Sequence, residues 1–276
     1  MTDMTLSTSA IRSYTIASRF CGPPTSGNGG YTAGLVANAL GAVLGEAITV
    51  RLHLPPPLDT PLACFWDGSD ANHSANALPA TVRFVVDDDV IVVTGQRTVW
   101  PADVDATNPS PSAASLSEAS AAVAPWATED HPFPTCFVCG PDRAHGDGLR
   151  IFAGAISGRP SPNDVFAAIW EPAPVDADPA TGEVYPEIVW AALDCPGGQA
   201  IHVFGGAEQA VVLGTITARR LAPVRSGERY VATAWEERHD GRKHFCTTVL
   251  HHVRPDGSQG EIVGESRALW IAIPRA

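Results

Sequence analysis

A stretch rich in Ala, Ser and Pro, Pro101 to Pro134, divides this sequence into two comparable halves, and both halves run through the same order of elements. The stretch contains NPSPSAASLSEASAAVAPWATEDHPFP, shows little strand alternation, and reads as a linker with a short helix around Ser115 to Val123. In the second half, Val165 to Trp170 is a short apolar strand, the loop EPAPVDADPATGEV follows, and Pro186 to Val203 is mostly apolar and helical. Strand-like runs then occupy Val211 to Leu221, Glu228 to Glu237, Lys243 to Val253 and Gly260 to Ile273. HDGR at 239–242 carries an Asp-Gly hairpin signal, and RPDGS at 254–258 carries a second. In the first half, Tyr14 to Phe20 reads as a strand, CGPPTSGNGG as a loop and Gly30 to Leu44 as an apolar helix. Strands are expected at Ala47 to Leu54, Leu62 to Asp67, Ala80 to Asp87 and Val90 to Trp100. The repeat lies in element order rather than residue identity. One apolar helix before a long antiparallel meander implies a sheet that wraps the helix and buries one face on it, an α+β arrangement occurring twice.

Bulk composition narrows the class. A chain of 276 residues suits one large domain or two ordinary ones, and 45% hydrophobic with 17% charged residues reads as globular. No apolar run approaches the roughly 18–20 residues of a membrane span. Met1 to Ser13 is polar, without a basic flank leading into an apolar core, so no secretory leader and a cytoplasmic location are expected, with no membrane partner. A net charge of −12 argues against a nucleic-acid surface. Arg219, Arg220, Arg225 and Arg229 could still hold one anionic ligand, although a solvated strand end is the commoner meaning of such a cluster. Six scattered cysteines in a chain this long require no disulfide framework and suit a reducing compartment.

Three segments carry a family resemblance. CFVCGPDRAHGDGLRI, Cys136 to Ile151, resembles the Cys-x-x-Cys-Gly-Pro and Gly-Leu opening of many hotdog-fold thioesterases, particularly the phenylacetate-pathway-like branch. VWAALDCPGGQA, Val189 to Ala200, is similar to that family's central helix with its acid, here Asp194. SGNGGYTAGLVANALG, Ser26 to Gly41, is similar to the start of the same helix, where Asn28-Gly29-Gly30 stands in place of a His-Gly-Gly or Asn-Gly-Gly motif. The resemblance implies a fused double hotdog: an N-terminal domain over 1–104, a linker over 105–132 and a C-terminal domain over 133–276.

The resemblance also implies a division of labour. In such enzymes the first Gly of the motif offers its N–H to the thioester oxygen, and the acid lies nine positions after the His or Asn, contributed by the opposite protomer. Nine positions after Asn28 stands Ala37, so the first half lacks the acid. Nine positions before Asp194 stands Tyr185, followed by Pro186 and Glu187, so the second half lacks the glycines. Asn28, Gly29 and Gly30 are therefore expected to face Asp194 in one composite site, and Tyr185, Pro186 and Ala37 to form a degenerate one.

Thioester hydrolysis builds negative charge on the carbonyl oxygen, which a helix N-terminus with free N–H groups stabilises. Gly29 would allow close backbone approach. Asn28 would add a donor, and Asp194 would act as base on water or as nucleophile. Gly30, Tyr31, Trp190, Arg219 and Arg220 are the expected substrate contacts, the two arginines for the phosphates of coenzyme A. The substrate would be an acyl-CoA or acyl-carrier-protein thioester, with no metal or redox cofactor; coenzyme A comes with the substrate.

Plainer readings stand beside these. Asn28-Gly29-Gly30 is also an ordinary turn and helix cap. Asp194, flanked by apolar residues, could be a buried hydrogen-bond anchor. Pro196-Gly197-Gly198 should kink or end the first part of its helix. Cys136-x-x-Cys139 with His145 lacks the second pair of a zinc clip and reads as a loop packed over the domain entrance. Cys195 has no His at dyad spacing, and His251 and His252 alternate across a strand. Trp66, Trp100, Trp170, Trp235 and Trp270 read as packing residues, as could Trp190. Two rival functions remain: a hotdog enoyl-CoA hydratase or dehydratase, for which DGSDANH at 67–73 offers the Asp and His types, and a non-catalytic acyl-CoA-binding protein. A homodimer or larger assembly through a sheet edge or outer face is expected.

Overall fold

The computed structural model describes residues 12–67, 81–87, 90–101, 110–122, 124, 131–158, 164–201 and 209–274. The elements are β1 (Arg12–Thr15), α1 (Gly29–Leu40), β2 (Ala47–Leu52), β3 (Pro61–Asp67), β4 (Thr81–Val86), β5 (Val90–Thr98) and α2 (Leu116–Ala121). They continue with β6 (Gly154–Ala155), β7 (Val165–Trp170), α3 (Pro186–Ala192), α4 (Cys195–Gln199), β8 (Gln209–Arg220), β9 (Tyr230–Asp240), β10 (Lys243–Val253) and β11 (Gln259–Pro274).

The eleven strands among the described residues belong to one sheet, in the order β1-β3-β4-β5-β2-β8-β11-β10-β9-β7-β6, and every neighbouring pair is antiparallel. Strands from residues 12–98 fill one side and strands from residues 154–274 the other. They meet where β2 pairs with β8, from Ile48 opposite Ala218 to Arg51 opposite Thr215. Each of these two seam strands is the first strand after its half's central helical segment, so the join falls at equivalent places in the repeated order.

The central helices α1 and α3 pack on each other and run antiparallel, because Gly30 meets Ala191 and Asp194 whereas Gly34 meets Glu187. Glycine is required at both contacts. A Cβ on Gly30 would stand 2.4 Å from the Asp194 Cβ, and one on Gly34 would stand 2.4 Å from the Glu187 Cα. Small residues at this spacing let two helix backbones approach closely. Around them lies the main core, which includes Ile16, Val36, Leu40, Phe84, Phe137, Trp170, Leu193 and Ile216. Strand alternation gives the outer face a cluster of its own: Ala167 and Val231 pack with Ala119 of α2, whereas Ala168 and Trp170 face the helices. The helix expected near Ser115 is present as α2, with Ser115 and Glu118 closing a capping box.

Several expected elements change at their ends: the helix expected over Gly30 to Leu44 is Gly29–Leu40 and stops where Gly41 turns left-handed (φ 70), and the strand expected over Glu228 to Glu237 is Tyr230–Asp240. The strand expected over Tyr14 to Phe20 is β1 followed by a single tight helical turn, Ser18–Phe20. The helix expected over Pro186 to Val203 breaks between α3 and α4, with Asp194 at the break (φ −87, ψ −76). The ring of Pro196 removes a helical donor and clashes with the preceding turn, which places the interruption just before it. Of the expected range, 202–203 lie outside the described residues, as does most of 67–73. No helix among the described residues is long and apolar enough to cross a membrane.

Candidate active site

Asn28 has two functions at the start of α1. Its Oδ1 accepts the Tyr31 N–H at 2.9 Å and caps the helix, which fixes the amide and aims Nδ2 the other way. That Nδ2 donates to Asp194 Oδ2 at 3.3 Å. The Gly30 N–H donates to the same oxygen at 2.8 Å. Tyr31 N–H is used by the cap and Gly30 N–H by the acid, so of the opening amides the Gly29 N–H is left, with no acceptor among the described residues.

Asp194 is 1% exposed. Burial pushes its carboxyl up to about 7, opposed by the Gly30 N–H, reinforced by nearby Cys136 and again opposed by the Asn28 amide. A carboxyl held there can exchange a proton near neutral pH. Its Oδ1 is buried with no hydrogen-bond partner among the described residues. One oxygen is therefore anchored by two donors from the first half, and the other is enclosed without one among the described residues.

The remaining expected contacts are placed differently. Gly29 is needed for packing, because a Cβ there would lie 2.7 Å from Leu213 Cδ2. Tyr31 is stacked on Phe20 with ring centres 4.0 Å apart, and it meets Phe137 edge-on. Trp190 is buried in the α1–α3 contact, its carbonyl 2.7 Å from where a Gly30 Cβ would be. Arg219 bonds Glu265 at 2.6 Å and lies over the Trp100 ring. Arg220 faces Glu183 at 3.8 Å, Arg225 bonds the Thr181 carbonyl and Arg229 bonds Glu171. The four arginines thus do not converge on one anion position, since strand alternation and the β8–β9 connection send them to separate acids and carbonyls.

Next to the positions expected to form the degenerate locus, a hydrogen bond ties the two helices. Glu187, the counterpart of Gly30, has its Oε2 bonded by Asn38 Nδ2 at 2.8 Å, beside Ala37. Neither Tyr185 nor Pro186 caps α3 with a side chain.

Sequence reasoning missed one grouping. Cys136, Cys139 and Cys195 bring their sulfurs within 4.8 Å of one another, all buried. Cys136 and Cys195 are 3.8 Å apart, and Asn28 Nδ2 lies 3.9 and 3.6 Å from their respective sulfurs. Thiol donation from Cys139 and Cys195 pulls the Cys136 thiol well down and drives those two up. The Cys-x-x-Cys loop was visible in sequence, but its third member comes from α4. The loop is also more deeply placed than a cover over a domain entrance, with Cys136, Phe137, Val138 and Cys139 all buried.

No protein-family model matches the chain, and no curated protein shows significant sequence similarity to it. Solved structures do match over nearly the whole length. A conserved protein of unknown function with a hot dog fold from Alicyclobacillus acidocaldarius superposes with TM-score 0.56 at 12% identity, covering 95% of this chain and 92% of that one. The chain has the hotdog fold. A TesB protein from Mycobacterium avium subspecies paratuberculosis matches this hotdog chain with TM-score 0.58 at 12% identity, with the same coverages of 95% and 92%. An acyl-CoA thioesterase II from Mycobacterium marinum gives TM-score 0.56 at 10% identity, again covering 95% and 92%. In this hotdog chain, α1, α3 and α4 share one core with the sheet, and Asp194 lies where residues of the two halves touch.

Proposed function

We propose that this chain is a thioester hydrolase acting on acyl-CoA or an acyl-carrier thioester. It is read as two fused hotdog domains, 1–104 and 133–276, joined by the linker 105–132, with one composite active site. The observation that carries this reading is the contact of Asp194 Oδ2 with the Gly30 N–H and the Asn28 amide, groups supplied by opposite halves. Gly29 N–H would receive the thioester oxygen as charge develops, a type of donor commonly worth about 10²–10³ in rate. Asp194 Oδ1 would take the proton of the attacking water and pass it to the departing thiolate as the carbonyl re-forms, or would attack the carbonyl itself, expelling the thiolate and leaving an anhydride that water then hydrolyses to the free acid and the restored carboxyl. Thioesterase names among the structural neighbours support this class of reaction. With Asp194 1% exposed, the acyl group must part the packing around α1 to reach it.

That same burial favours a second reading, a non-catalytic acyl-CoA-binding protein in which Asp194 only ties the halves together. A hydratase is less well supported, because no histidine is among the hydrogen-bond partners of Asp194 within the described residues. The deciding experiment is a panel of acyl-CoA thioesters with detection of released thiol, run on wild type and Asp194→Ala. Turnover by wild type and its loss in the variant supports hydrolysis. Saturable binding without turnover supports the second reading. Light scattering tests the expected homodimer, which a single-chain mass would refute.

A further inference from the structure

We propose that Cys136, Cys139 and Cys195 form a binding site for one soft, thiophilic cation, zinc or monovalent copper. The site stands whether or not the chain hydrolyses thioesters. Zinc bound tetrahedrally to sulfur at about 2.3 Å requires sulfurs about 3.8 Å apart. The Cys136–Cys195 separation is 3.8 Å, and all three sulfurs fall within 4.8 Å of each other. One of the three separations thus already has the length that zinc requires, and the other two are at most about 1 Å longer.

The surroundings suit thiolates. Asn28 Nδ2 lies within reach of two of the sulfurs, and amide donors of this kind orient and stabilise metal-bound thiolate. Gln199 is fully buried beside them; its Nε2 donates to the Ile151 carbonyl at 3.0 Å and its Oε1 accepts the Ala153 N–H. The loop is tightened by the Gly140 N–H bonding the Cys136 carbonyl at 2.8 Å. Three thiolates in this apolar core would be costly without a counter-charge; zinc offsets two of the three charges and monovalent copper one. Asp194 is outside the set of three; Asn28 bridges it to the sulfurs. Three protein sulfurs leave one position open on zinc, or complete a trigonal set around monovalent copper. Either ion would fasten the 136–139 loop to the residue next to Asp194.

Because the sulfurs are enclosed, the ion must enter as the chain folds. The test refolds reduced full-length protein with zinc or with monovalent copper, followed by dialysis and elemental analysis. Parallel samples use Cys139→Ser and, as a control outside the cluster, Cys246→Ser. One ion per chain in wild type and the Cys246→Ser control, with loss in Cys139→Ser, is the expected result, and the ion retained identifies the site's preference. A cobalt-substituted wild-type sample should show thiolate-to-metal charge transfer, a readout that does not depend on any variant folding. Failure of wild type to retain either ion overturns the proposal, as does mass spectrometry showing a Cys136–Cys195 or Cys136–Cys139 disulfide in protein purified without oxidant.

Discussion

The Asp194 carboxylate accepts the Gly30 N–H at 2.8 Å across 164 positions of chain, so the two halves are tied at the point where the chemistry is proposed. The bond is short because Gly30 lets α1 approach the end of α3 backbone to backbone.

Gly30→Ala should therefore be costly. Its new Cβ would fall 2.4 Å from the Asp194 Cβ and 2.7 Å from the Trp190 carbonyl, forcing the helices apart. Overpacking of this kind commonly costs about 1–3 kcal/mol. Urea unfolding should show this loss together with reduced thiol release; an unchanged midpoint would contradict the packing described.

Asn28→Asp separates capping from donation. Aspartate caps a helix as well as asparagine does, so stability should change little from that cause. The donor to Asp194 Oδ2 is lost and a second carboxyl takes its place. A hydrogen bond to a charged group is worth about 1.5–3 kcal/mol, so activity should fall roughly 10- to 100-fold. Steady-state kinetics alongside thermal unfolding checks the separation.

Glu187→Gln and Arg219→Ala should leave turnover close to wild type. Glu187 is bonded to Asn38 and touches neither Asn28 nor Asp194 by hydrogen bond, and Arg219 is committed to Glu265 and Trp100. A raised KM for acyl-CoA in Arg219→Ala would restore the phosphate role that the residue types suggest.

His251 should make stability fall on acidification. It is buried, its Nδ1 has no partner among the described residues, and burial holds its pKa below the ordinary value. The unfolded state then takes up a proton first, near 6.5 by the usual value of about that size. Its contribution is present above that pH and is lost as pH falls toward the lower folded value. His251→Phe should flatten this part of the profile, measured by urea unfolding from neutral to mildly acid pH; an identical slope would refute the assignment.

The residue pattern made much of the fold legible. Strands at Val165–Trp170 and Lys243–Val253 lie where a short apolar run and the Asp-Gly turn place them. Such signals are local, set by side-chain period and turn chemistry. The break at Asp194 was half-visible in Pro196, but its consequence was not, because a helix interruption acquires meaning only from what packs against it.

Sequence by itself determined the repeated helix-and-meander order, the capping role available to Asn28 and the placing of Asn28-Gly29-Gly30 in one half and Asp194 in the other. Only tertiary structure decided that β2 pairs with β8, that Gly30 rather than Gly29 binds Asp194, that the arginines disperse, and that Cys195 joins Cys136 and Cys139. The reason is physical: propensity and alternation act over a few neighbouring residues. Which distant atoms come within 3 or 4 Å depends on how closely two helices can approach, and steric contacts made after the sheet has closed around them set that distance.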